Sequence, residues 1–115
     1  MKKISQVPSL YTRLEEVIGC KWSVSVLCAI RSGIQRPGAL EREIIGISTK
    51  VLSERLRKLT HYSLLKRETF PELPPRTEYA LTEAGRRLVE IIEQIQRLDI
   101  QLQDATPGDS DAEPI

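Results

Sequence analysis

The chain has 115 residues, of which 40% are hydrophobic and 29% are charged, with a formal net charge of +1 at pH 7. This length favours one domain with a modest core. We expect a cytoplasmic protein without a membrane partner, because no apolar stretch approaches the roughly 20 residues of a membrane span and no apolar signal segment follows the basic N-terminus. Two cysteines and one histidine are too few for a four-ligand zinc site, so no metal or other cofactor is predicted.

The charge is distributed unevenly along the chain. From Asp99 onward the sequence carries five of the 16 acidic residues and no lysine or arginine, which leaves 17 basic against 11 acidic residues over positions 1–98. We predict a folded domain over residues 1–103 and a disordered acidic tail over residues 104–115, where apolar side chains are scarce. The basic balance of the folded part is compatible with a nucleic-acid partner and equally with a merely solvated surface.

The first half of the chain has the apolar spacing of short helices. Leu10–Ile18 and Trp22–Arg31 place hydrophobic residues three and four apart, and Gly33 is suited to end the second helix in a left-handed conformation. Residues 34–36 are either a short strand or an extended link. Pro37 fits the first turn of a third helix, which we expect to end at Ile45.

A fourth helix follows after a short turn. Gly46 stops the third helix, and Ser48 or Thr49 can cap a fourth helix that runs to about Tyr62. Two short helices joined by a glycine-containing turn form the helix-turn-helix pattern. The sequence therefore places this motif between Pro37 and Tyr62.

The second half predicts a hairpin and a long helix. Leu64–Phe70 and Arg76–Leu81 alternate as strands do, and the prolines between them cannot continue a ladder because they lack the N–H donor. A hairpin directly after a helix-turn-helix is a wing. The predicted fold class is therefore mainly α with a small β-hairpin wing, a winged helix-turn-helix. The last helix opens near Thr82.

The apolar stripe of the last helix is longer than one small domain can cover, since about twenty helical residues span roughly 30 Å. We expect Leu88 and Ile92 to serve the domain's own core. The rest of the stripe predicts a homodimer through the terminal helices. The predicted interface residues are Leu10, Leu14, Ile95, Leu98 and Leu102.

The fourth helix places cations and hydroxyl groups opposite its leucines, an arrangement that fits the major groove of double-stranded operator DNA. Arg57 could donate two hydrogen bonds to a guanine edge, and Arg76 beside the proline tip could reach the minor groove or a phosphate. The alternative is that these are ordinary solvated charges. The predicted DNA-binding residues are Ser48, Thr49, Lys50, Ser53, Arg57, Lys58 and Arg76.

Three motifs in collinear order resemble the HxlR-type winged-helix regulators, relatives of the MarR group. They are Gly-Cys-Lys-Trp at 19–22, Gly-Ile-Ser-Thr-Lys-Val-Leu-Ser-Glu-Arg-Leu-Arg-Lys-Leu at 46–59, and Phe-Pro-Glu-Leu-Pro-Pro-Arg-Thr-Glu-Tyr-Ala-Leu-Thr-Glu-Ala-Gly at 70–85. The resemblance covers about residues 10–98. It implies a symmetric dimer, built from terminal helices, that binds inverted-repeat operators and regulates transcription.

The cysteines depart from the pattern of the family. Many members resemble thiol sensors with a cysteine about a dozen residues before the motif's lysine, but counting back from Lys21 reaches Ser9, and no cysteine precedes Cys20. The usual switch therefore does not transfer. Cys20 itself, at a helix start beside Lys21, is the alternative redox-sensing thiol or else a structural residue, whereas Cys28 in an apolar run is a core residue.

Other classes of function are weakly supported. An enzyme is not predicted, because the sequence has no phosphate-binding loop, no metal cluster and no nucleophile–base pair, and no catalytic residue is assigned. A winged-helix module that binds a protein instead of DNA would expose aromatic and aliphatic side chains where this chain has cations. A regulator that responds to a small molecule stays open, and the effector is unknown.

Overall fold

The computed structural model describes the backbone of residues 9–105 and the side chains of residues 12–105. That part of the chain consists of five helices and one β-hairpin, which confirms the predicted winged helix-turn-helix architecture. None of these helices is long and apolar enough to cross a membrane. The elements are α1 (Ser9–Ile18), α2 (Lys21–Arg31), α3 (Pro37–Glu43), α4 (Thr49–His61), β1 (Leu65–Phe70), β2 (Arg76–Leu81) and α5 (Glu83–Ala105).

Helix α2 lies at the centre of the fold and contacts α1, α3, α4, α5 and β2. Every element after α1 except β2 contributes at least one large, fully buried side chain to a single core, among them Leu27, Leu40, Leu59, Leu65 and Val89. Burial of each such side chain stabilises the fold by about 1.5–3 kcal/mol. The helix-turn-helix and the wing therefore share one hydrophobic core.

The turn of the helix-turn-helix begins earlier than predicted. Helix α3 ends at Glu43 rather than Ile45, because Ile44 adopts an extended conformation that keeps its side chain buried. Ile45 is then 89% exposed, and Gly46 takes a positive φ of 92°. A side chain at position 46 would meet the Trp22 ring at 3.6 Å, so the turn packs on α2.

The wing is a two-stranded antiparallel hairpin. Its register pairs Leu65 with Leu81 at the base and Phe70 with Arg76 at the tip. Strand β1 begins at Leu65, one residue later than predicted. Residues 34–36 are a link and not a strand, although the carbonyl of Gln35 accepts a 2.9 Å hydrogen bond from the N–H of Tyr79.

A tight joint connects the wing with the start of α5. The Thr82 hydroxyl donates to the Ser63 carbonyl at 2.7 Å and accepts from the Gly85 N–H at 3.0 Å, so it caps α5. Gly85 lies so close to the backbone of the chain before β1 that a Cβ there would be 2.1 Å from the Leu64 carbonyl oxygen. Only glycine permits this approach of α5 to the hairpin.

Helix α5 has 23 residues and is therefore about 34 Å long. Leu88 and Ile92 are buried, which confirms their predicted place in the domain's core. The helix continues to Ala105, two residues past the predicted domain boundary. Residues 106–115, most of the predicted acidic tail, lie outside the described residues, and the tail stays a prediction.

Candidate nucleic-acid interface

Helix α4, the recognition helix of the motif, has two different faces. Leu52, Leu56 and Leu59 are buried against the core, whereas Lys50 and Arg57 are exposed on the opposite side. This confirms the division of the helix that its sequence predicted. A helix held by three leucines presents its polar side as a rigid surface.

The first turn of α4 is held by the hydroxyl residues of the predicted site. Ser48 is the N-cap, and its side chain accepts a hydrogen bond from the Val51 N–H at 3.1 Å. Thr49 donates from its hydroxyl to the Glu41 carboxylate of α3 at 2.5 Å. The Ser48 bond thus caps the recognition helix, the Thr49 bond connects it to α3, and both side chains remain exposed.

The recognition helix forms a ridge between two grooves. On one flank, a groove of about 580 Å³ separates it from the wing, and Arg67 and Tyr79 of the hairpin line the far wall. On the other flank, a groove of about 460 Å³ is lined by Glu54, Arg55 and Lys58. Arg57 and His61 line both grooves, so they lie on the crest of the ridge.

The cations of the predicted site differ in whether a carboxylate already holds them. Among the described residues, no ion pair involves Lys50 or Arg57. Lys58, in contrast, donates to the Glu16 carboxylate of α1 at 3.2 Å. Lys50 and Arg57 are therefore exposed cations of this helix that can meet a phosphate or a base without first leaving a carboxylate.

Glu16 joins α1 to the last turn of the recognition helix. Its second carboxylate oxygen accepts a hydrogen bond from the Tyr62 hydroxyl at 2.6 Å, and the Arg13 guanidinium lies 5.4 Å from the Tyr62 ring centroid. The bond from Tyr62, followed by that from Lys58, lowers the pKa of Glu16, and the same bond raises the pKa of Tyr62. The carboxylate is thus held in its charged form.

Arg76 is enclosed within the wing. Its guanidinium lies 2.8 Å from the Glu72 carboxylate and 4.2 Å from the Phe70 ring centroid. Its Nε lies 3.1 Å from Glu78, an ion pair without the alignment of a hydrogen bond. Glu78 also pairs with Arg36 of the link at 3.8 Å. To contact DNA as predicted, Arg76 would have to exchange a carboxylate for a phosphate.

Cys20 is the N-cap of α2, as its sequence position indicated, and makes no capping hydrogen bond. Burial is the largest single influence and raises the pKa of the thiol. The neighbouring polar groups of Ser23 and of the Trp22 backbone, with the charge of Arg55, lower it further than burial raises it, so the pKa falls below its ordinary value. The nearby cation that acts is Arg55, since the Lys21 ammonium lies over the Trp22 ring at 4.7 Å.

Cys28 has the opposite environment. Burial, and then the charge of Glu93, raise the pKa of its thiol. The side chain packs against the hydrophobic core, which agrees with its predicted structural role. Of the two thiols, Cys20 is the one poised to ionise.

Four of the five predicted dimer residues are exposed in this single chain. Leu14 is 40% exposed, Ile95 45%, and Leu98 and Leu102 53% each. The side chain of Leu10 lies outside the described part of the chain. Further exposed aliphatic residues that the sequence reasoning did not assign to the interface are Ile18, Ile91 and Ile100. The dimer itself stays a prediction, because the structure contains one chain.

Several residues around the recognition helix were not identified as functional from the sequence. Glu16 bonds residues that are 42 and 46 positions away, and no local pattern reveals such a contact. Tyr79 and His61 were not assigned to a DNA surface, although the alternation of β2 could have placed Tyr79 on one face of the hairpin. Within the described residues, no group of three or more His, Cys, Asp or Glu side chains could hold a metal ion.

Comparison with known proteins gives this geometry a family. The model of the HxlR-like helix-turn-helix family matches residues 17–106. An uncharacterized HTH-type transcriptional regulator of Methanothermobacter thermautotrophicus is 41% identical over 76 residues, which are 66% of this chain and 58% of that protein. The chain thus spans somewhat less than two thirds of the length of that relative.

Solved structures agree with the family match. A transcriptional regulator of the MarR family from Enterococcus faecalis V583 has a TM-score of 0.77 at 32% identity, covering 89% of this chain and 92% of that one. The redox regulator HypR in its oxidized form has a TM-score of 0.68 at 31% identity, covering 75% and 89%. The chain belongs to the HxlR-like helix-turn-helix family.

Proposed function

We propose that this protein is a transcriptional regulator that binds an inverted-repeat operator as a homodimer, with α4 in the major groove and the wing beside it. The observation that carries the proposal is the exposed face of α4. It presents Lys50, Ser53 and Arg57 on a helix whose other side is fixed in the core. The names of the relatives, all of them regulators, support the same function.

The proposed contacts divide into base reading and phosphate binding. Arg57 on the crest of the ridge suits a bidentate contact to guanine, while Lys50 and Ser53 near the start of the helix reach neighbouring edges. The groove between α4 and the wing suits a DNA phosphate, because Arg57 of α4 and Arg67 of the wing lie on its opposite walls. Ser48, Thr49, Lys58 and Arg76 complete the proposed set, each after rearrangement of a bond that it now makes.

The proposed dimer uses the exposed aliphatic residues of α1 and α5. Ile95 and Leu98 project from the half of α5 beyond Ile92, the last buried residue of that helix. Such residues gain by packing on a second copy, since each buried CH₂ contributes about 0.8 kcal/mol. A two-fold axis through this surface would place two recognition helices about one turn of DNA apart and require a pseudo-palindromic operator.

An oxidant is the signal that this chain's chemistry favours, with Cys20 as the responding thiol. Its lowered pKa increases the fraction of reactive thiolate. The solved neighbour HypR is named a redox regulator, which supports a redox effector. A response to a small molecule is the alternative outcome, and it would leave DNA binding insensitive to the Cys20→Ser change.

Fluorescence anisotropy on DNA upstream of the protein's own gene tests the proposal, with unlabelled random DNA as competitor. Arg57→Ala should weaken specific binding by about five- to 150-fold, the range for losing a bidentate base contact. Arg87→Ala is the matched control, because it removes an exposed arginine of α5 outside both grooves. Its affinity for the operator should remain within about twofold of wild type.

Contrary results would show which part of the proposed function is wrong. Binding that any competitor removes equally would mean that the protein has only non-specific affinity for DNA. Full regulatory function after neutralising Lys50, Arg57, Lys58 and Arg76 together would favour a protein-interaction module. A comparison of wild type with Cys20→Ser, each with and without a mild thiol oxidant, tests the redox response separately.

A further inference from the structure

We propose that Glu16 is a positioning residue that sets which spacing between operator half-sites the dimer accepts. The inference rests on the proposed function, because it concerns the placement of two recognition helices on DNA. Glu16 itself lines neither of the grooves beside α4. It acts through Lys58 and Tyr62, the residues that it holds.

The contacts hold the recognition helix at its C-terminal end. Lys58 and Tyr62 are one helical turn apart, and each donates to a different oxygen of the Glu16 carboxylate, at 3.2 Å and 2.6 Å. Arg13, one turn earlier on α1, lies over the Tyr62 ring. The opposite end of α4 is bonded through Thr49 to Glu41 of α3. A helix held at both ends cannot change its angle without breaking one of these bonds.

Helix α1 lies between the recognition helix and the proposed partner. At about 100° per residue, Arg13 and Glu16 share one face, and the pair formed by Leu14 and Ile18 is centred about 150° away. Val17, between the two faces, is buried in the core. One face of α1 thus holds α4, and the other presents exposed aliphatic side chains to a second copy.

This arrangement makes the distance between the two recognition helices a property of the dimer. Each base pair inserted between half-sites shifts one of them by about 3.4 Å and rotates it by about 35°. If α1 transmits the dimer's geometry rigidly to α4, only one spacing lets both helices enter their grooves fully. Loss of the Glu16 carboxylate removes this connection between α1 and α4, so that α4, still anchored in the core by Leu56 and Leu59, can adopt the slightly different angle that a neighbouring spacing requires.

The test is a series of inverted repeats whose spacers differ by one base pair, built from a half-site selected out of random DNA. Wild type should bind one spacer more tightly than its neighbours, and Glu16→Gln should reduce this ratio of affinities by about fivefold. Each exposed ion pair contributes about a two- to threefold effect, and the effect is squared because the dimer contains the pair twice. Tyr62→Phe should act in the same direction. The double variant should not exceed the larger single effect by more than about twofold, because both changes weaken one bonded cluster, that of residues 16, 58 and 62.

The ratio between spacers is the readout that separates positioning from other roles. If Glu16→Gln merely frees Lys58 for a phosphate, affinity rises equally at every spacer and the ratio stays constant. Glu15→Gln is the matched control, since it removes the same charge from the neighbouring exposed position of α1 and should retain the wild-type ratio. Melting curves verify that every variant is folded.

The outcomes distinguish this inference from the function on which it rests. A wild-type preference that persists in Glu16→Gln and Tyr62→Phe, or that Glu15→Gln reduces equally, overturns the role of Glu16 alone. Wild-type protein that binds every spacer and a single half-site equally overturns the homodimeric function, and the inference with it. A preference that relaxes only in the Glu16 and Tyr62 variants supports both.

Discussion

Replacing Arg76 by alanine distinguishes a wing that is held together by its arginine from a wing that uses it on DNA. The Arg76 side chain is 27% exposed, and its guanidinium lies against Glu72, Glu78 and the ring of Phe70. If these contacts are its main role, Arg76→Ala should destabilise the folded protein. Glu72→Gln, which removes one carboxylate and keeps the arginine, should destabilise it less.

The size of the effect follows from the three contacts. Each partly exposed ion pair contributes about 0.2–1 kcal/mol. The arginine over the Phe70 ring contributes about 0.5–1 kcal/mol. The free energy of unfolding should therefore fall by about 1–3 kcal/mol, and since 1 kcal/mol shifts the melting temperature of a domain this size by about 4–8 °C, a fall of at least about 4 °C is expected.

Thermal melting followed by circular dichroism measures the stability, and anisotropy on operator DNA measures the affinity. Arg67→Ala is the matched control on the facing strand. Arg67 is exposed, lines the groove beside α4 and makes no ion pair among the described residues, so its loss should lower DNA affinity with little change in melting temperature. The reasoning is refuted if Arg76→Ala melts within about 1 °C of wild type and weakens DNA binding as much as Arg67→Ala does.

Three further results are expected. Gly85→Ala should lower the free energy of unfolding by about 1–3 kcal/mol in a denaturant titration, because its Cβ would lie 2.1 Å from a backbone oxygen; unchanged stability would show that the joint can yield. Ile95→Lys combined with Leu98→Lys should convert a dimer into a monomer in sedimentation experiments with the fold intact, whereas Arg97→Ala on the same exposed stretch should remain dimeric. Cys20 should be alkylated faster than Cys28 near pH 8, because the lowered pKa of Cys20 gives more of the reactive thiolate. For the same reason, the alkylation rate of Cys20 should reach half of its maximum at a lower pH in the folded protein than in the unfolded chain. Equal rates for the two cysteines would contradict the environment described for Cys20.

Local chemistry explains why the element order could be predicted from the sequence. Gly33, with its positive φ, follows the end of α2, and Pro37 stands in the first turn of α3, as the backbone preferences of glycine and proline predict. The prolines at the hairpin tip separate the two strands. The end of α3 was misplaced because burial of Ile44 outweighs its helical spacing, which is a tertiary effect. Helix periodicity also separated the leucine face of α4 from its polar face.

Which cations are paired with a carboxylate could not be predicted from the sequence in the same way. Lys58 and Arg57 are neighbours with similar sequence surroundings, yet one is held by a carboxylate of α1 and the other makes no ion pair within the described chain. Arg76 pairs with residues close in sequence, and the pattern Glu72, Arg76, Glu78 could have indicated this. Such pairing depends on distances of a few ångströms between elements, which periodicity does not determine.

The joint at Thr82 and Gly85 gives α5 the character of a lever. Its first turn is bonded to the segment that ends the recognition helix and begins the wing, its next two turns pack in the core up to Ile92, and about 20 Å of helix extends beyond that residue. For a rod of about 34 Å, tilting by about 5° at the fulcrum moves the far end by about 3 Å. A small change in the direction of α5 near Gly85 therefore displaces the end of the helix near Ala105 by several ångströms.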